Sequence, residues 1–356
     1  MVNFNETSEK EVDFGITTGT AATAAALAAF LAIKNENINF VDIKTPVGTL
    51  KIEVSNSKKL NQHTGTACIL KRPYNDPDIT TNMEICARVK IIENGIIIKG
   101  GRGVGIVTKP GLQVPVGQPA INPKPMAMLR DNLNRVLNED HGIEVEIYVP
   151  QGEKIAKKTM NPRLGIVGGI SILGTTGIAR PMSSKAYKES LNCQIDVALA
   201  QGYNDLIFVP GNIGQKLALK ILSAEEDQII QMGNFVGYML EQASNKGVKK
   251  ITLLGHAGKL VKIAAGIFNT KNSIADGRAE VIASYTGLSG APKGVIRRIF
   301  ESKTTEEMIE ILEENNLVKD VFNPIAESIK HRCQERFSID LKVIIVRMDG
   351  TILNTV

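Results

Sequence analysis

From Phe14 to Ile33 the chain runs for twenty residues without a charged side chain, and most of those residues are alanine or threonine. A segment like this has no face for water, so it must cross a bilayer or lie inside a fold. Large apolar side chains are few in it, which makes its transfer into lipid poor. The spacing therefore predicts a buried helix over Ala21 to Ile33, with high helix propensity and threonines at Thr17-Thr18-Gly19-Thr20 to cap its start. With small residues on every side, such a helix needs close neighbours in several directions. The rest of the chain has to supply them.

At 356 residues the chain is long enough for about two domains. Apolar residues at 43% and charged residues at 22% are ordinary for a folded, soluble protein. A formal charge of +5 is too small for a nucleic-acid footprint and suits an acidic small ligand. Trp is absent and aromatics are only 4%, so platforms for stacking bases are poorly supplied. Cys68, Cys86, Cys193 and Cys333 form no Cys-X-X-Cys, and no histidine pair has a metal-binding spacing, so no metal site is expected. Sparse cysteines and an acidic first thirteen residues, with Glu6, Glu9, Glu11 and Asp13 against Lys10, fit a cytoplasmic protein without a secretory leader.

Three regions follow from the patterning. Residues 1–155 read as an α+β domain with an antiparallel sheet and helices. Phe40 to Lys44 and Thr49 to Val54 form one strand pair, and Glu84 to Ile92 and Ile96 to Lys99 form a hairpin about Asn94-Gly95. Met126, Leu129, Leu133, Val136 and Leu137 mark a helix that Gly142 should end, before the alternating Ile143, Val145, Ile147 and Val149. Residues 156–290 read as a Rossmann-like parallel α/β domain. Its strands are Leu164 to Gly169, Asp205 to Pro210 and Lys250 to Gly255, with helices between them. Residues 291–356 carry helices, one capped by Thr304 with Glu307 and one starting at Asn323-Pro324. A last strand, Leu341 to Val346, rejoins one of the two sheets.

Four segments are candidates for chemistry. Gly168, Gly169, Gly174, Thr175, Thr176 and Gly177 follow an apolar run, where backbone amides can approach a nucleotide-like cofactor. Neither a dinucleotide fingerprint nor a Walker pattern is present, and a plain glycine-rich connection is the alternative. The strand ending Phe208-Val209-Pro210 carries no carboxylate for ribose hydroxyls, which weighs against a nicotinamide oxidoreductase. Arg102 and Lys109 sit in the glycine-dense run Gly100 to Leu112, a cationic surface suited to carboxylates. Thr17, Thr18 and Thr20 offer hydroxyls and free amides at a helix start, either for an anion or simply as caps. His256 lies between a strand and a helix in Gly255-His256-Ala257-Gly258-Lys259, as a base, an anion contact or a structural histidine. Asp276 and Arg278 read first as an ion pair, and Asp76-Pro77-Asp78 as a turn.

Taken together, the motifs carry a resemblance. Thr17-Thr18-Gly19-Thr20, Val107-Thr108-Lys109-Pro110-Gly111-Leu112, Pro119-Ala120-Ile121-Asn122-Pro123, Asn161-Pro162-Arg163-Leu164-Gly165-Ile166, Asn234-Phe235-Val236-Gly237, Gly255-His256 and Ala275-Asp276-Gly277-Arg278 occur in one order along the chain. In this the chain resembles the cobalt-precorrin-5B C1-methyltransferase family of anaerobic cobalamin biosynthesis. The resemblance implies S-adenosylmethionine as methyl donor and a tetrapyrrole polycarboxylate as substrate, with cobalt present only as part of that substrate. It implies cobalt-precorrin-6A as product, and it leaves a non-catalytic tetrapyrrole-binding protein as the other class. Neither nucleic acid nor membrane is an expected partner, and a homo-oligomer is compatible. Ala21 stands where family members often carry Cys, and Thr270-Lys271-Asn272-Ser273 where a Thr-His-Ser is common. His256 therefore stays the candidate catalytic base. The donor is expected at Gly168 to Gly177, and substrate carboxylates at Thr17, Thr18, Thr20, Arg102 and Lys109.

Overall fold

The computed structural model describes residues 14–35, 37–74, 78–137, 141–180 and 184–356. The turn expected at Asp76-Pro77 and the acidic first thirteen residues lie outside that range. The described chain is a mixed α/β structure that divides into two compact units, one up to Tyr187 and the other from Lys188.

The uncharged segment is the helix Thr18–Ala32, in which every residue but Leu31 is buried. Its alanines let it lie directly on the strand Thr64–Lys71, so closely that a Cβ at Gly65 would stand 2.1 Å from the Ala29 carbonyl oxygen. That strand belongs to a five-stranded sheet ordered Asn56–Asn61, Thr64–Lys71, Met83–Ile92, Gly142–Tyr148, Ile96–Gly100. Phe40–Thr45 and Gly48–Glu53 pair separately, as expected, with Val41, Ile43, Leu50 and Ile52 turned into the core.

The sheet departs from expectation at Asn94-Gly95. Met83–Ile92 and Ile96–Gly100 are strands, and Gly95 has the positive φ of +76° that such a turn needs, but the two do not pair. Gly142–Tyr148 lies between them, antiparallel to the first and parallel to the second. The reason is local: a Cβ at Gly142 would sit 2.2 Å from the Asn94 carbonyl carbon, so only glycine lets the third strand enter beneath the turn. Gly142 thus starts a strand and does not end the preceding helix, which runs Pro123–Asn134. Cys68 and Cys86 are directly opposite on neighbouring strands and form a disulfide, a pairing the cysteine spacing did not suggest.

The two compact units divide between Tyr187 and Lys188, whereas the sequence reading sets a boundary at residue 155. The run Leu164 to Gly169 was expected to open the parallel sheet. Instead Ile166–Val167 pairs antiparallel with Ile106–Val107, and Gly169–Ile170 runs parallel to Gly103–Val104. Glycines make this pairing possible. A Cβ at Gly169 would meet the Gly103 carbonyl carbon at 2.2 Å, and one at Gly103 would meet the Val149 carbonyl oxygen at 1.9 Å.

The second unit is built on a four-stranded, all-parallel sheet ordered Ile229–Gln231, Asp205–Val209, Lys250–His256, Asp340–Val346. The final strand therefore joins this sheet, and residues 291–356 form no unit of their own. Ile229–Gln231 is too short to have announced itself as a strand. The last helix starts at Val318, five residues before Asn323, and tolerates Pro324 inside it at the loss of one backbone hydrogen bond. No helix among the described residues is long and apolar enough to cross a membrane.

Candidate functional site

The expected donor and carboxylate residues of the first unit are brought together by packing. Thr17, Thr18 and Thr20 are 8%, 4% and 0% exposed. Thr17 Oγ1 caps the helix by accepting from the Thr20 amide at 3.1 Å. The Thr18 hydroxyl accepts from the Leu173 amide at 2.8 Å and donates to the carbonyl of Ser171 or Leu173. Thr20 donates to the Gly177 carbonyl at 2.7 Å, and the Gly19 amide donates to the Leu173 carbonyl at 2.9 Å. The helix start that looked open to an anion is thus covered by the glycine segment itself. Gly174 and Gly177 have positive φ and lie so close to Thr17, Thr20 and Thr45 that no side chain fits. Gly169 is buried against Gly103, while Gly168, Thr175 and Thr176 are exposed. Arg102, mostly exposed, pairs with Glu153 at 3.6 Å. The stem of Lys109 packs over Gly165.

Open, charged space lies in the second unit. Beyond the carboxyl end of the strand Lys250–His256 is a cavity of about 390 Å³ lined by Asn234, His256, Lys259, Lys271, Arg278 and Glu306, with Gly258, Asn272, Thr304 and Thr305 between them. His256 ends the strand and caps the helix Ala257–Ala264. Its Nδ1 accepts from the Gly258 amide at 3.1 Å, which leaves the neutral ring's proton on Nε2, 2.7 Å from Glu306 Oε1. Both ring nitrogens are therefore engaged, and a base role would have to break one of these bonds. Burial pushes the Glu306 carboxyl up, but the hydrogen bonds from His256 and Arg347 outweigh it and hold the carboxyl below its ordinary value. Arg347, beyond the last strand, reaches Glu306 at 3.0 Å and Glu313 at 2.8 Å.

The wall opposite hangs on one lysine. Lys262 is fully buried, and its ammonium donates to the carbonyls of Thr270 and Ala275 at 3.3 and 2.9 Å and to Asn272 Oδ1 at 2.6 Å. Burial lowers its pKa, and Asp276 at 3.9 Å works against that fall. The loop it holds presents Lys271 and leads into Asp276 and Arg278, which form a two-pronged pair with both contacts at 2.7 Å. The ion pair expected there is present, and Arg278 keeps one guanidinium nitrogen 3.5 Å from the Thr305 hydroxyl. Lys259 bonds Asn234, a neutral partner, and burial lowers its pKa. Sequence reading missed Asn234, Lys259, Lys271 and Glu306 as members of one site. Thr304 at a helix cap was the nearest signal, since its helix start supplies Thr305 and Glu306.

A four-stranded parallel sheet with a polar, lysine-bearing cavity at the carboxyl end of one strand, in a chain that also holds a separate sheet-and-helix unit, defines a mixed α/β protein. The chain belongs to the CbiD family: the family model described as CbiD matches residues 5–181, and that described as CbiD, C-terminal domain, matches residues 269–356. Among similar proteins, the cobalt-precorrin-5B C(1)-methyltransferase of Methanobrevibacter smithii is 54% identical over 346 residues, 96% of each chain. The one of Methanosphaera stadtmanae is 54% identical over 95% of this chain and 90% of its own. That of Methanocaldococcus jannaschii is 49% identical over 97% of both. A crystal structure of the cobalamin biosynthesis protein CbiD from Archaeoglobus fulgidus is 29% identical, covers 74% of this chain and 83% of its own, and has a TM-score of 0.39.

Proposed function

We propose that the chain transfers a methyl group from S-adenosylmethionine to C1 of cobalt-precorrin-5B, yielding cobalt-precorrin-6A in anaerobic cobalamin biosynthesis. The observation that carries this reading is identity above 50%, over nearly the whole length, to relatives named for that methylation. The donor supplies an activated methyl on a sulfonium, so the protein's task is mainly alignment of the reacting carbon, worth up to about 7–11 kcal/mol in favourable cases.

We read the parallel sheet as Rossmann-like. Its chain order is 2-1-3-4, with the switch point between Asp205–Val209 and Lys250–His256, and open α/β sheets bind ligands in that crevice. Gly211 follows the first of these strands, and a side chain there would project into open space, so an adenosine can approach the backbone. This supports placing the donor near Gly211 and Gly255 in preference to the covered segment Gly168 to Gly177. His256 then serves as a positioning residue that ties the strand end to Glu306.

Two measurements test the reading. Methyl-labelled donor incubated with protein and anaerobically prepared cobalt-precorrin-5B should give a macrocycle one methyl heavier. An unlabelled macrocycle ends the proposal. Hydrogen exchange with S-adenosylhomocysteine should protect residues 209–212 and 255–258. Protection confined to 168–177 would return the donor to the glycine segment.

A further inference from the structure

The acids and bases around the second unit's cavity do not balance. Asp276 is paired with Arg278, and Glu306 is held by His256 and by Arg347, which it shares with Glu310 and Glu313. Among the described residues, Lys259 faces the cavity with the Asn234 amide oxygen as its partner and makes no ion pair, and neither does the exposed Lys271. Two ammonium groups thus line one concave space without a counter-charge. Around them stand the starts of the helices Ala257–Ala264, Arg278–Leu288 and Thr305–Glu314, capped in part by His256, Asp276 and Thr304, and the Arg278 guanidinium, which Asp276 already engages. Positive helix ends add to the lysines in favouring an anion. Lys262 holds the loop in place from behind, so the backbone that carries Lys271 is fixed.

Resting on the methyltransferase reading, we infer that Lys259 and Lys271 grip carboxylate arms of the tetrapyrrole substrate in this cavity, and that the donor lies beside it and outside it. Charge separates the two ligands. The donor carries a sulfonium and an ammonium against one carboxylate, so two unpaired lysines repel it overall. A macrocycle with many carboxylates is attracted. Placing its arms at the carboxyl edge of the sheet also brings the ring to the edge where the donor is proposed, which a methyl transfer requires.

The test uses the full chain and the variants Lys259→Gln, Lys271→Gln and the double variant, with thermal unfolding to confirm that each folds. Each single change should raise the substrate KM about tenfold, as loss of a charge-assisted hydrogen bond does, while the donor KM stays level or falls. The same variants should weaken binding of uroporphyrin, a fluorescent tetrapyrrole with a carboxylate on every arm, by a similar factor, and added salt should shrink the difference. Substrate KM and uroporphyrin affinity within twofold of wild type overturn the inference and leave the methyltransferase reading standing. A rise in donor KM alone overturns it as well, by giving the cavity to the donor's carboxylate. If the wild-type chain transfers no methyl, the functional reading fails, and uroporphyrin binding still decides whether the cavity takes polycarboxylates.

Discussion

The two units use their most conspicuous residues in opposite ways. In the first, glycines and threonines that resemble a ligand cradle are consumed by the fold: Gly103, Gly169, Gly174 and Gly177 permit backbone contacts no side chain would allow, and Thr17, Thr18 and Thr20 bond inward. In the second, polar side chains stand around open space, with two lysines that have no acidic partner among the described residues. Hydroxyls and amides already bonded to one another have little left for a ligand, whereas an uncompensated charge at a cavity wall does.

The largest expected effect comes from the packed side. Gly103→Ala forces a methyl to within 1.9 Å of the Val149 carbonyl oxygen and should cost about 4 kcal/mol or more, read as a fall in the denaturant midpoint. A wild-type midpoint would break the claim that these glycines serve packing. Next, Lys262→Met leaves the carbonyls of Thr270 and Ala275 and the Asn272 side chain without their donor. Calorimetry should show a loss of about 2–4 kcal/mol, with substrate binding weakened because the Lys271 loop loosens.

Smaller, and aimed at the contrast itself, Thr20→Val removes the hydrogen bond to Gly177 and should lower stability by about 1 kcal/mol without altering either KM. A tenfold KM change at constant stability would restore the threonines as ligand contacts. Glu306 predicts a pH effect of known sign. Its folded value lies below the usual 4.5, so its contribution is fully present above pH 4.5 and is lost as pH falls through the folded value. Melting temperatures of Glu306→Gln should therefore fall less steeply in acid than those of wild type. The smallest effect belongs to Arg102→Ala, an exposed pair with Glu153, which should change stability by less than about 0.5 kcal/mol.

Much of the local structure was legible. The strand pair Phe40 to Lys44 with Thr49 to Val54, the alanine run after Thr17, and the passage from strand to helix at His256 all describe elements that are present, within a residue or two at their ends. The site was less legible. Arg278 and His256 drew notice one at a time, because nothing in their immediate neighbours ties either to Lys271 or to Glu306.

The chain by itself determined where most of its longer helices and several of its strands would form, because periodicity, caps and the absence of charge act between residues a few positions apart. Only the tertiary structure decided that Gly142–Tyr148 would separate two strands joined by an Asn-Gly turn, that residues 166–170 would join the first unit, and that Asn234, Lys259, Lys271 and Glu306 would face one cavity. Those outcomes depend on how closely distant backbones can approach and on which charges remain unpaired once they have, and both are settled by packing between residues far apart in the chain.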